Sequence, residues 1–378
     1  MPAQRFEIRI SASKLLIAML LIIIPICLMA LFSLSRTTNA LERTMGSHFK
    51  TVAQMSAAQV ANFIHERVTE VRNLTIAFPV VDAVAAANKK YQGRSDAEIA
   101  GAAAKIDEIW NTPAADPLVR EILAAPASRF LRKHQQSAPL FLRITVTDSR
   151  GAVVAATHKT MAYFQADQAS WQSTYANGRG AVSITDIRYD DVTKSSYIGI
   201  GMPIFEEETS RLVGTLEALV DVSNISPIIR LVQLGPTGRL MLVKDDGTVV
   251  AAQGISTTAK MKSDEYAAIR DALGTVSGLQ TGYIVATLRT GQQVIGFADT
   301  GLKDDYPNLG WVVIAAQDTR EAFASIDTAD RILVLMSVLG LAGVVLFGVY
   351  VFLHRRPAYE DLAEAAEPGS FTSRDPSA

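Results

Sequence analysis

Two long uncharged runs constrain this chain more than any other feature. Leu15 to Leu34 holds 20 residues without a charge between Lys14 and Arg36, and Ile332 to Leu353 holds 22 between Arg331 and His354-Arg355-Arg356. A helix crossing ~30 Å of hydrocarbon needs about 20 apolar residues, so both runs have the length of a membrane span. Pro25 in the first run is tolerated within lipid. A cleaved signal peptide is the alternative for that run. Its apolar stretch is longer than a usual signal core, and Thr38-Asn39-Ala40 fits the small-residue cleavage rule poorly. The expected organisation is therefore an N-terminal segment (1–14), a first span (15–35), a soluble region (36–329), a second span (332–353) and a tail (354–378). Two spans place both termini on one side. Lysines and arginines flank the spans almost evenly, so charge alone barely orients them.

Composition narrows the chemistry. The 378 residues are 49% hydrophobic and 20% charged, with a net charge of -2, which gives no footprint for a nucleic-acid partner. Cys27 is the single cysteine and lies inside the first apolar run, which leaves no disulfide framework or cysteine metal cluster. The five histidines, His48, His65, His134, His158 and His354, have no metal-ligand spacing. No phosphate loop, dinucleotide fingerprint or nucleophile elbow occurs, so the sequence points to no enzyme, cofactor or metal. Asp190-Asp191 and Asp304-Asp305 are expected to be solvated turns.

Between the runs the pattern changes from helix to strand. Leu41, Met45, Phe49, Val52, Met55, Phe63, Val68, Val71 and Leu74 keep roughly helical spacing, and no proline occurs from Thr37 to Phe78. This predicts one long helix over 36–78. Helical patterns continue to about Pro139, broken at Gly93, Pro113, Pro117 and Pro126. Strands are then expected over 140–147, 152–157, 181–189, 196–204 and 212–222. After a short helix at 225–234, a second set is expected over 240–244, 248–252, 282–288, 292–298 and 310–316. Asp148-Ser149-Arg150-Gly151 and Asp245-Asp246-Gly247 are turn signals between apolar runs, so each set opens with a hairpin. This weak internal repeat suggests two copies of one α+β fold, in modules 79–225 and 226–329. Gly199-Ile200-Gly201 is expected to mark a bulge or a close-packing site.

Tyr163-Phe164-Gln165-Ala166-Asp167-Gln168-Ala169-Ser170-Trp171-Gln172, the later Asp186, Tyr189 and Tyr197, and Val213-Gly214-Thr215-Leu216-Glu217 resemble the membrane-distal module of double Cache (dCache) sensors of bacterial membrane receptors. Gly238 to Val250 and Gly310-Trp311-Val312-Val313 are similar to the membrane-proximal module. The resemblance covers roughly residues 36 to 329. It implies an α+β fold in which a long N-terminal helix precedes two tandem PAS-like modules, flanked by two transmembrane helices. It also implies an extracytoplasmic ectodomain, cytoplasmic termini and a small-molecule ligand in the distal module. The amino-acid-binding subset carries an arginine two residues before the tryptophan, a tyrosine after it and an aspartate on the last distal strand. Here Ala169, Gln172 and Leu219 stand there, so the motif offers no carboxylate clamp and points away from an α-amino acid.

The candidate ligand-binding residues are Tyr163, Asp167, Trp171, Gln172, Tyr189, Tyr197 and Glu217. Trp171 would stack on a ligand or cap a cation, and Asp167 would accept from an amine. Each has a plain alternative. Trp171 suits a core, Asp167 suits the cap of a helix starting at Gln168, and Tyr189 with Tyr197 suits cross-strand packing. The sequence implies a sensor, with a homodimer read across paired helices. Residues 354–378 show no kinase, cyclase or methyl-accepting pattern and cannot bury a core. Output is therefore expected through a separate kinase or chemoreceptor partner. The rival expectation is a membrane-anchored accessory subunit of a transporter or envelope complex.

Overall fold

A computed structural model describes residues 12–190, 195–206, 209–253, 261–273 and 281–353. The chain divides into two units, Thr44–Ala322 and a second made of Met1–Arg43 with Phe323–Ala378. Helix α1 (Ala12–Thr75) begins in the second unit and ends in the first. Many side chains of the two uncharged runs lie outside the described residues, and among those described no helix is long and apolar enough to cross a membrane. The expectations for the N-terminal residues 1–11 and for the tail 354–378 also lie outside the described residues.

From Thr44 onward α1 buries one stripe, comprising Phe49, Ala53, Ala57, Val60, Ile64, Val68, Val71 and Leu74. The spacing of three and four residues is that of one helical face. Met55, expected on this stripe, is instead exposed, because the stripe passes through Ala53 and Ala57. Four helices follow: α2 (Phe78–Lys89), α3 (Asp96–Ile109), α4 (Asp116–Ala124) and α5 (Pro126–Ser137). The prolines read as breaks, Pro113, Pro117 and Pro126, lie in first turns, as does Pro79, where a missing N–H costs no helical bond. Ser95 and Glu98 form a reciprocal capping box that starts α3.

The first sheet contains β1 (Phe141–Asp148) and β2 (Val153–Ala156), then helix α6 (Ala169–Tyr175), then β3 (Ser183–Ile184), β4 (Arg188–Asp190), β5 (Ser195–Phe205) and β6 (Leu212–Asp221). Helix α7 (Ile225–Arg230) leads to the second sheet. That sheet has β7 (Arg239–Lys244) and β8 (Val249–Ala252), then α8 (Asp264–Leu273), β9 (Thr281–Leu288), β10 (Gly291–Asp299), α9 (Leu302–Asp305) and β11 (Trp311–Asp318). Helices α10 (Thr319–Ala322) and α11 (Ala324–Leu353) follow. The expected single strand 181–189 is two short strands, β3 and β4. The acidic pair Asp304-Asp305 ends a short helix rather than forming a turn. Helix α8 had no counterpart in the sequence reading.

The internal repeat is structural. The strand orders β2-β1-β6-β5-β3 and β8-β7-β11-β10-β9 are the same topology, and every pairing in both sheets is antiparallel. Each opening hairpin carries an irregularity at the same place, between Val146 and Thr147 and between Leu242 and Val243. Each is followed by an isolated bridge, Ala152 to Phe164 and Thr248 to Lys262. This register equates Arg143, Thr145 and Thr147 on β1 with Arg239, Met241 and Val243 on β7.

The first turn is built around a buried carboxylate. Asp148 is 1% exposed and accepts from Tyr91 Oη at 2.6 Å, Arg150 N at 2.9 Å and Ala152 N at 3.1 Å. Burial pushes its carboxyl up, and the Tyr91 hydroxyl works against that by stabilising the charged form. Tyr91→Phe is expected to cost about 1.5–3 kcal/mol, the range for a hydrogen bond to a charged group. The bond favours the ionised form, so the deficit is larger at neutral pH than below the carboxylate range. Urea unfolding of the two proteins at both pH values measures it.

Candidate functional site

Strand alternation gives the first sheet two faces. Ile144, Val146, Ile198, Ile200, Leu216 and Ala218 form its buried apolar face. Arg143, Thr145 and Thr147 on β1 lie on the other, paired with Leu219, Glu217 and Thr215 on β6. Tyr197, Gly199 and Gly201 on β5 continue that face opposite Asp221, Leu219 and Glu217. Helix α6 and the segment before it cover it. Gly201 permits the close cover: a Cβ there would overlap Thr174 Oγ1 of α6. Gly199 and Gly201 thus mark close packing, and β5 is regular through both.

A cavity of about 170 Å³ lies between this face and its cover. Its charged lining is Arg143, Arg188 and Glu217, joined by Tyr197, Gln165 and Thr145. Arg143 Nε is buried without a hydrogen-bond partner, and among the described residues neither arginine nor Glu217 is in an ion pair. A buried guanidinium N–H without an acceptor is costly unless something else supplies one. In the second sheet the counterpart, Arg239, is held by Glu265 at 2.9 Å, with the Glu265 side chain 6% exposed. The rest of that second face is filled by Met241, Val243, Ile295, Phe297 and Ile314. The same strand position thus carries an arginine in both modules. One is answered by a carboxylate of the chain, and the other opens on a cavity.

The structure distributes the seven sequence candidates unevenly. Tyr197 and Glu217 line the cavity. Trp171 and Glu217 line a smaller adjoining space of about 20 Å³. The Trp171 indole donates to Thr147 Oγ1 at 2.9 Å and stacks on Tyr175 at 4.4 Å, so it closes the wall of the site. Tyr163 packs on Trp110 at 5.3 Å in a core shared with α3 and α4, where burial pushes its phenol up to about 12. Asp167, Gln172 and Tyr189 are exposed. Asp167 does not cap α6 as expected, because the helix starts at Ala169 and its cap residue, Gln168, makes no side-chain cap bond. Tyr189 pairs with Ser196, and Tyr197 with Arg188, so the two tyrosines are not direct cross-strand partners.

A family model described as "Cache domain" matches residues 37–326. The chain belongs to the Cache domain family. No curated protein sequence matches it. Among solved structures, the sensory domain of the Campylobacter jejuni chemoreceptor Tlp3 (CcmL) is similar at a TM-score of 0.50 and 11% identity, covering 76% of this chain and 99% of that one. The ligand-binding domain of the same chemoreceptor in complex with L-valine gives 0.49 at 10% identity, covering 75% and 96%. The ligand-binding domain of the Pseudomonas aeruginosa PAO1 amino acid chemoreceptor PctC in complex with GABA gives 0.45 at 13% identity, covering 72% and 99%. The first of these shows the shared fold.

Within the Cache domain the residues that sequence reasoning missed are Arg143 and Arg188. Arg143 stands in the apolar β1 run, Phe141-Leu142-Arg143-Ile144-Thr145-Val146. A charge in such a strand was a legible signal, since alternation puts it on one face with Thr145 and Thr147. Arg188 carried no comparable mark; only its pairing with Tyr197 brings it to the site. Among the described residues no group of His, Cys, Asp and Glu could hold a metal ion.

Proposed function

We propose that this Cache protein is a membrane-anchored sensor whose first, membrane-distal module binds a small carboxylate-bearing molecule, with the carboxylate on Arg143. The observation that carries this is that Arg143 lines an open cavity with no ion pair among the described residues, whereas Arg239, whose Nε is likewise buried without a partner, has its Nη2 paired with Glu265. A guanidinium matches a carboxylate in a bidentate fork. Arg188 adds a second positive charge, while Glu217 and Tyr197 offer partners to an amine or hydroxyl on the same ligand. At about 170 Å³ the cavity is smaller than the usual range for drug-sized ligands, which suits a ligand of few heavy atoms. The test is a thermal-shift series on the full-length chain in detergent, with small amino acids and hydroxy acids each paired with its amide. The free acids are expected to raise the melting temperature and the amides to leave it unchanged. Equal shifts from acid and amide would remove the role of Arg143.

We further propose that the two uncharged runs span the cytoplasmic membrane as α-helices, with residues 36–329 outside and both termini inside. Their length and lack of charge support this. Alkaline phosphatase fused after Gly235 should be active and after Ser370 inactive; the reverse would overturn the topology. Ligand binding would act by favouring one of two arrangements of α1 and α11. A homodimer and a separate kinase or chemoreceptor partner complete this proposal.

A further inference from the structure

The second module has its own cavity, of about 730 Å³, at the strand ends of its sheet. It is far larger than the first-module site and falls in the size range of small-molecule pockets. Its walls come from separate parts of the fold. Gln54 and Ala58 belong to α1, Tyr266 and Ile269 to α8, and Phe297 and Asp299 to β10. One part is apolar, with Ala58, Ile269, Phe297 and Val312.

The other part is polar and unbalanced in charge. Asp245, Asp299 and Asp304 line it with Lys303 and Arg270, three carboxylates to two cations. Lys303 is engaged, with its Nζ 2.5 Å from Asp245 Oδ2. Asp299 is half-buried at the end of β10, and Gly301 N donates to its Oδ1 at 2.8 Å. Among the described residues Asp299 and Asp304 have no ion pair. Burial pushes the Asp299 carboxyl up, Asp304 and Asp245 push the same way and Lys303 opposes them, so carboxylates outnumber cations around it and a cation placed there would relieve them. Arg270 stands on the α8 wall, which also supplies Tyr266 and Ile269. A ligand filling this space meets its lowest electrostatic energy with a positive group at Asp299 and an apolar body on Phe297 and Ile269.

We infer that this cavity is a second ligand site, specific for a small organic ammonium compound, with the ammonium on Asp299 and Asp304 and the apolar part against Phe297, Ile269 and Ala58. Its chemistry is the inverse of the first-module site, where arginines predominate. Because Gln54 and Ala58 are on α1, such a ligand touches the long helix directly.

The probes are benzylammonium, choline and pentylammonium, with benzyl alcohol as the uncharged control, titrated into the full-length chain in detergent and read by melting temperature and calorimetry. At least one ammonium should give a saturable shift that benzyl alcohol does not. Asp299→Asn keeps an oxygen for Gly301 N and so retains the fold, checked by circular dichroism. It should weaken ammonium binding about tenfold or more, the effect of removing a charged hydrogen-bond partner. Arg143→Ala, in the other module, should leave ammonium binding unchanged. The inference fails if no ammonium gives a saturable shift or if the alcohol binds equally. It fails also if folded Asp299→Asn binds like the parent, or if Arg143→Ala abolishes ammonium binding. The carboxylate series above is read independently, so either site can fail without the other.

Discussion

Arg143→Ala is expected to weaken carboxylate binding about a hundredfold or more. Truncating one partner of a desolvated charge pair typically costs 2–5 kcal/mol, and ~2.7 kcal/mol corresponds to a hundredfold in Kd. Arg143→Lys should recover only part of the loss, because an ammonium cannot reproduce the two-pronged geometry. The ligand-free protein gives the sharper discrimination. Arg143 Nε is buried and unpartnered, so removing the guanidinium should leave the apo melting temperature unchanged or raised. Arg239→Ala should do the opposite. It strands the buried Glu265 carboxylate and lowers stability while leaving carboxylate affinity intact. Calorimetric affinities and apo melting curves of both variants decide the matter. If Arg143→Ala destabilises the apo protein and binds normally, the arginine is structural.

Gly296→Val is expected to be strongly destabilising although its backbone conformation is ordinary. A Cβ at Gly296 on β10 would overlap the main chain of Phe49 and Lys50 in α1. Main-chain atoms of a packed helix cannot swing aside as a flexible side chain can, so the helix must lift from the sheet. Overpacking usually costs 1–3 kcal/mol, and an obstacle of backbone puts this case at about 3 kcal/mol or more. Gly101→Ala is the contrast. Gly101 lies inside α3 with nothing within 4 Å of an added Cβ, so the change should stabilise by about 0.5–1 kcal/mol. Urea unfolding of the full chain, at fixed detergent, measures both.

The two modules show where a sequence is readable. Hairpin turns were legible because Asp148-Ser149-Arg150-Gly151 and Asp245-Asp246-Gly247 interrupt apolar runs, and turn chemistry is local. The doubled fold was legible as a weak repeat, and matching strand orders and irregularities bear it out. The position of β4 was not legible. Arg188 reaches the site only by pairing with Tyr197 on β5, a cross-strand register that no periodicity encodes. Met55 was misplaced because alanines at 53 and 57, weak in a hydrophobic count, carry the buried stripe.

For the site, the local motif from Tyr163 to Gln172 drew attention to residues that mostly build the cover. Trp171 closes the wall, Tyr163 joins the core behind it, and Asp167 and Gln172 face outward. The sequence by itself determined the long helix, the paired α+β modules and two uncharged runs of membrane length, because each depends on spacing along the chain. Only the tertiary structure decided which side chains share a cavity. Arg143, Arg188 and Glu217 come from three strands far apart in sequence, and sheet register sets them on one face. It also decided that Arg239 is answered by Glu265 while Arg143 is not, since that depends on which element covers each face.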